Sequence, residues 1–274
     1  MTEPTVSAHR QIWRESGLTE GDRTVPEETA LAMSYNAGTH AVMMGTPQDL
    51  EDFAIGFSLT EEIIDSIDGI EALEVVPQDE GIELRMWLKP ESAARLGERR
   101  RHIAGPTGCG LCGIDSISEA MKPVAIVGSG ITVTPAQIMA AMQALHPLQK
   151  LNTLTRAVHA AAFWEPDRGI LEIREDVGRH NALDKLGGAL TRKRIDASRG
   201  AVLLTSRVSV EMVQKTATIG ATLIVSVSAP TALAIRMAER AGITLCAVAR
   251  SDGFEIFTHP RRVAANETIG VANA

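Results

Sequence analysis

The carboxy-terminal half of the chain carries a rhythm that few folds accommodate. A turn signal at Pro166-Asp167-Arg168-Gly169 marks a hairpin, and beyond it short apolar runs, Ala201 to Leu204, Leu223 to Val227 and Ile243 to Val248, alternate with helical stretches. Strands alternating with helices define an α/β layered sheet. In the helix after Asp176, Leu183, Leu186 and Leu190 supply a buried face. Arg192-Lys193-Arg194 ends that helix, where cations suit the dipole and a solvated terminus accounts for them.

The amino-terminal half reads as a smaller α+β subregion. After a short polar lead, Thr29 to Tyr35 and His40 to Met44 form a strand pair around Asn36-Ala37-Gly38-Thr39. A helix follows, with Thr46 as its cap, Pro47 in its first position, and Leu50, Phe53, Ala54 and Phe57 on one face. Ala72 to Val76 and Ile82 to Leu88 add two strands. From Glu91 to Met121 no apolar period is sustained, which predicts a long loop; Thr134-Pro135 then opens another helix. The expected division is 1–133 for the amino-terminal subregion, ending in a mobile loop, and 134–274 for the α/β domain.

A chain of 274 residues, 45% hydrophobic and 22% charged, buries a sizeable core unaided. Aromatics at 3% and a net charge of −7 argue against nucleic acid, which demands a basic, stacking surface. No apolar run reaches the length of a membrane span, and Met1 to Trp13 has no signal pattern, so the expectation is a cytoplasmic protein. Three cysteines with one close pair do not make a disulfide framework. Cys246, inside an apolar strand, reads as packing.

The other two cysteines lie in Thr107-Gly108-Cys109-Gly110-Leu111-Cys112-Gly113, among glycines that leave sulfur uncovered. A closed zinc site wants four ligands, and the chain adds only scattered His159, His180 and Cys246; the H-x-E and P-C-x-x-C pattern of zinc deaminases is missing. A thioredoxin-like pair would sit at a helix start, whereas this one follows the long loop, with Arg99 to Arg101 as its nearest positive charge. On the residues alone, sulfur transfer, redox exchange and metal binding stand level.

Three strand-to-helix junctions share small or polar residues: Asp176 to Asn181, Thr205 to Ser209 and Ser226 to Thr231. At the carboxyl ends of strands in an open α/β sheet, such helix starts favour phosphates. Arg179 with His180, Arg207 and Ser228 are the candidate contacts for a nucleotide or diphosphate. The plainer account is that Asp176, Ser228 and Thr231 only cap helices.

The cysteine segment, Asp176-Val177-Gly178-Arg179-His180-Asn181-Ala182-Leu183-Asp184-Lys185, and Thr258-His259-Pro260 occur in the order seen in a known family. Over about Ile12 to Val263 the chain resembles the formate dehydrogenase accessory sulfurtransferases, the FdhD family. The resemblance implies a cytidine-deaminase-like fold without the zinc site, no metal held by side chains, and a homodimer. It also implies a carrier that accepts persulfide sulfur from a cysteine desulfurase on Cys109. The sulfur then passes to the molybdenum cofactor, bis-molybdopterin guanine dinucleotide, needed by formate dehydrogenase; Cys112 either resolves the persulfide or tunes it. The family's cofactor-binding stretch falls on Val248-Ala249-Arg250-Ser251-Asp252-Gly253, with Val248 where the family typically has an aromatic, and GDP is the expected mimic. The alternative is a chaperone that binds the cofactor without moving sulfur.

Overall fold

The polar lead is a hairpin. In the computed structural model, which describes residues 2–102 and 124–264, Thr5–Arg14 (β1) and Gly17–Pro26 (β2) pair antiparallel along their whole length. Polar side chains on both faces of this ribbon hide the alternation that would have announced it.

Two units divide the chain. The first comprises Met1–Pro123, Lys150–His159 and Arg174–Lys193; the second comprises Val124–Gln149, Ala160–Ile173 and Arg194–Ala274. They interleave, unlike the single division expected at 133/134, because a late helix packs into the amino-terminal unit.

In the first unit, Thr29–Tyr35 (β3) and Gly38–Gly45 (β4) are joined by Asn36 and Ala37, whose φ angles of 49° and 65° suit a two-residue hairpin turn. With Ile70–Gln78 (β5) and Gly81–Leu88 (β6) they form a sheet of order β4-β3-β6-β5, in which β3 and β6 run parallel. Leu31, Met33, Tyr35, Leu84 and Met86 alternate onto one face and meet Phe53, Ala54 and Phe57 of α1 (Leu50–Thr60). This helix starts later than expected. Asp49, with φ 53°, is its cap residue and makes no side-chain cap bond; Thr46 is buried and bonded elsewhere. The expected loop from Glu91 begins instead as a helix, α2 (Pro90–His102), with Pro90 opening it and Leu96 its large buried side chain.

Helix α5 (Arg179–Arg192) crosses α1 at a pair of glycines. A Cβ on Gly56 would lie 1.7 Å from the Asp184 carbonyl oxygen, and one on Gly188 1.9 Å from that of Asp52. The backbones touch directly, and only glycine permits it.

In the second unit α3 (Pro135–Leu145) opens at Thr134-Pro135, as expected, and is capped by a reciprocal pair: Gln137 N–H donates to Thr134 Oγ1 (3.2 Å) and Thr134 N–H donates to Gln137 Oε1 (2.8 Å). After α4 (Lys150–Thr155), which belongs to the first unit, β7 (His159–Glu165) and β8 (Gly169–Asp176) flank the predicted turn. The sheet order is β12-β11-β10-β9-β7-β8, with β9 (Ala201–Leu204), β10 (Leu223–Ser226) and β11 (Thr244–Arg250) parallel and β12 (Gly253–Ile256) antiparallel. Helices α6 (Val210–Ile219) and α7 (Ala232–Ala241) connect the parallel strands. Ile138, Ala141 and Leu145 pack on Ala162, Trp164, Leu203, Val225 and Cys246. The class is mixed α/β. Among the described residues no helix is long and apolar enough to cross a membrane.

Candidate functional site

In the second unit the junctions that follow β9, β10 and β11 are stitched into one cluster. Val227 N–H donates to the Leu204 carbonyl (3.0 Å), Thr231 N–H to that of Val208 (2.9 Å), and Val248 N–H to that of Ser228 (3.3 Å). The Ser226 hydroxyl donates to the Ser206 carbonyl (2.7 Å) and accepts from Ser228 N–H (3.2 Å). Thr231 caps α7, its Oγ1 accepting from Ala234 N–H (3.2 Å), so the plainer reading holds for that residue.

The side chains this stitching leaves over are the ones able to meet a ligand. Arg207 is exposed and Ser228 half-buried. Ser209 stands at the α6 start without a cap bond, and its Oγ, like Glu211 Oε2, is buried with no hydrogen-bond partner among the described residues. Buried polar atoms in that state are uncommon and mark a place where a donor or acceptor is wanted.

The Val248–Gly253 segment covers the end of β11, the turn at Ser251 and Asp252, and the first residue of β12, with the pairing register shifting between Ala247 and Arg250. Ala249 is buried, while Arg250, Ser251 and Asp252 are exposed. Val248 has φ 54° and Gly253 φ 154°. A β-branched residue in the left-handed region carries strain of about 1–3 kcal/mol, which persists where neighbouring contacts impose it, here the bond to Ser228. Ser228 and Val248, twenty residues apart in sequence, are thus brought into contact.

Arg179 and His180 stand at the start of α5 in the first unit. Arg179 Nε is buried and makes no hydrogen bond among the described residues. Burial holds the His159 ring below the ordinary histidine range, the Arg179 charge adds to that, and Asp176 opposes it.

The Asp176–Asn181 junction is more than a cap. Asp176 accepts from Thr46 N–H (3.0 Å), Gly178 N–H (2.7 Å) and Asn181 Nδ2 (3.0 Å), and pairs with Lys185 Nζ at 2.6 Å. Lys185 also donates to the Thr46 carbonyl (2.9 Å), Asn181 Nδ2 to that of Met44 (2.9 Å), and Val177 N–H to Thr46 Oγ1 (3.1 Å). Both ions of the pair are fully buried; burial depresses the Lys185 ammonium and Asp176 partly restores it. Lys185 and Thr46 thus join a buried polar cluster that sequence reasoning missed. A lysine on the apolar side of a helix, nine residues after an aspartate, was its only sign.

Arg192 is another correction. It is exposed at the helix end, as expected, but it also pairs with Glu51 (2.7 Å) and with buried Asp52 (2.8 Å), which holds Arg174 as well (2.7 Å). Cys246 sits in β11 fully buried, its thiol pushed up to about 12 by burial, as an inert packing residue should be. Cys109 and Cys112 lie outside the described residues, as does the expected mobile loop beyond the end of α2 at His102. Among the described residues no group of three or more His, Cys, Asp or Glu is placed to hold a metal ion.

Fold and site define an α/β protein whose parallel strands end in one bonded set of loops. A crystal structure described as that of a formate dehydrogenase accessory protein from Desulfotalea psychrophila shares this architecture. It aligns with a TM-score of 0.73 and 26% identity, over 95% of this chain and 99% of that one. The sulfur carrier protein FdhD of Agrobacterium fabrum is 52% identical over 255 residues, covering 93% of this chain and 94% of the relative. That of Brucella abortus is 51% identical over 266 residues, covering 96% and 99%. The FdhD/NarQ family matches residues 26–264, and the chain belongs to that family.

Proposed function

We propose that the chain is a sulfur carrier in the maturation of formate dehydrogenase, taking sulfur onto Cys109 from a cysteine desulfurase. The sulfur goes to the dehydrogenase's molybdenum cofactor, bis-molybdopterin guanine dinucleotide, which is bound here as substrate. The observation that carries this reading is the 52% identity to a sulfur carrier along nearly the whole chain. Retention of both Cys109 and Cys112 supports it.

In the first step the Cys109 thiolate attacks the outer sulfur of the donor's persulfide. The donor's S–S bond breaks, its cysteine leaves as thiolate, and Cys109 carries the persulfide with no net change of oxidation state. Releasing the outer sulfur as sulfide takes two electrons. Attack of the Cys112 thiolate on Cys109 Sγ supplies them, leaving a Cys109–Cys112 disulfide for an external thiol to reduce. A reducing cytoplasm suits that cycle, and the resemblance adds a homodimer with a deaminase-like fold.

The exposed guanidinium groups of Arg207 and Arg250, the Ser228 loop and the strained Val248 support contacts to a guanine diphosphate within the second unit; Arg179 and His180, in the first unit, are separate candidates for an anion. Mass spectrometry after incubation with a desulfurase and cysteine tests the carrier reading. Wild type should gain sulfur and Cys109→Ala should not; no gain in wild type favours the chaperone alternative. Calorimetry with GDP tests the cofactor end, where Arg207→Ala should weaken binding and added salt should weaken it further.

A further inference from the structure

The start of α6 holds two polar groups for which the fold itself has no use. Ser209 is the cap residue of that helix, yet its hydroxyl makes no cap bond. Ser209 Oγ and Glu211 Oε2 are both buried with no hydrogen-bond partner among the described residues. The helix dipole accounts for an acid in the first turn of α6, but not for burying one of its oxygens away from every donor. A carboxylate only accepts, whereas a hydroxyl donates and accepts. Whatever completes this corner therefore brings hydrogen-bond donors to Glu211.

The corner lies in the second unit, at one end of the stitched row of junctions. Val208, next to Ser209, donates its N–H to the Ala229 carbonyl of the β10 junction (3.4 Å), and Ser228 of that junction accepts from Val248 of β11 (3.3 Å). With neighbouring strands about 4.8 Å apart, the row from β9 to β11 is about 10 Å across, a length that a nucleoside diphosphate covers. Arg250 is exposed at the β11 end and Arg207 just before Ser209, whereas Glu211 is half-buried at the β9 end. A carboxylate repels phosphate and a guanidinium attracts it, so the diphosphate belongs with the arginines and the base with Glu211.

We propose that Glu211, with Ser209 beside it, selects guanine as the base of the bound nucleotide. This rests on the reading that the second unit holds a guanine diphosphate. Guanine offers N1–H and its 2-amino group side by side, two parallel donors that fit one carboxylate. Its O6, on the same edge, accepts from Ser209 Oγ. Adenine would set a lone pair at N1 against the carboxylate, and hypoxanthine lacks the 2-amino group. A site built to bond a particular polar edge rejects the analogue that leaves it unpaired more strongly than shape alone can.

Calorimetry of the full chain with GDP, IDP, ADP and XDP in the presence of EDTA tests this. Wild type should bind IDP about tenfold or more weaker than GDP, and ADP about a hundredfold or more weaker. Glu211→Gln keeps the shape of the side chain but replaces one acceptor oxygen with a donor amide. Xanthine, with N1–H beside a carbonyl at C2, complements that amide, so the variant should bind XDP about tenfold or more tighter than GDP. A wild type that binds GDP and ADP alike, or a Glu211→Gln variant with the wild-type order of preference, would overturn the proposal and leave the diphosphate site standing. Binding lost in EDTA and restored by magnesium whatever the base would assign Glu211 to a cation and overturn it as well. No binding of any of the four nucleotides would overturn the diphosphate site and the proposal together.

Discussion

Replacing Gly56 with alanine should destabilise the first unit, although alanine is the better helix former. To bring the new Cβ from 1.7 Å to the 3.4 Å where ordinary contact begins, α1 and α5 would have to part by about 1.7 Å, because the obstructing atom is the Asp184 backbone carbonyl and has no rotamer to yield. Overpacking of this kind costs about 1–3 kcal/mol, and more against backbone. Alanine returns about 1 kcal/mol of helix propensity. Taking the upper end of that range for a backbone obstacle, the expected net loss is about 2 kcal/mol, and the same at Gly188, whose Cβ would meet the Asp52 carbonyl at 1.9 Å. Urea denaturation measures it, with Gly97→Ala as control. Gly97 lies in α2 with nothing within 4 Å of an added Cβ, so its substitution should be neutral or stabilising. Gly56→Ala and Gly188→Ala both behaving like that control would refute the close crossing.

Lys185→Met should cost about 3–5 kcal/mol, since it strands the buried Asp176 carboxylate without its counter-ion; an unchanged urea midpoint would count against the ion pair. His159, held neutral in the fold below its ordinary 6.5, lets the unfolded chain bind more protons as the solution is acidified. Its contribution to stability is present above 6.5 and lost as pH falls toward the folded value, so His159→Gln should flatten the slope of stability between about pH 8 and 5; parallel slopes for the two proteins would refute it. With Cys109 and Cys112 both changed to serine, Cys246 should resist a thiol reagent at mild alkaline pH and react only after denaturation, which thiol titration reads directly.

What was legible in the sequence followed from local chemistry. Thr134-Pro135 opens α3, and the buried leucines of α5 recur at helical spacing, so both helices stand where expected. β9, β10 and β11 announced themselves as apolar runs between helices. The misses share a different cause. Thr46 reads as a cap next to Pro47, yet its hydroxyl accepts from Val177 N–H, a partner that no local pattern names. Among its described side chains α2 has one large buried apolar residue, Leu96, too little for a period to show. At the site, Arg207 and Ser228 were visible as junction residues, but the Ser228–Val248 contact needed the parallel sheet to bring two loop ends side by side.

The interleaved first unit also sets a timetable for synthesis. Its sheet and α1 are made early, but α5, which packs on α1 through Gly56 and Gly188, ends at Arg192. From residue 123 to residue 193, a ribosome adding about 5–20 residues per second needs roughly 4–14 s. Through that interval the emerging chain exposes the face of α1 that α5 will cover, with Asp52 still waiting for Arg174 and Arg192. A nascent chain held in that state is a natural client for chaperones that shield apolar surface, and a fragment truncated before residue 174 should never leave it.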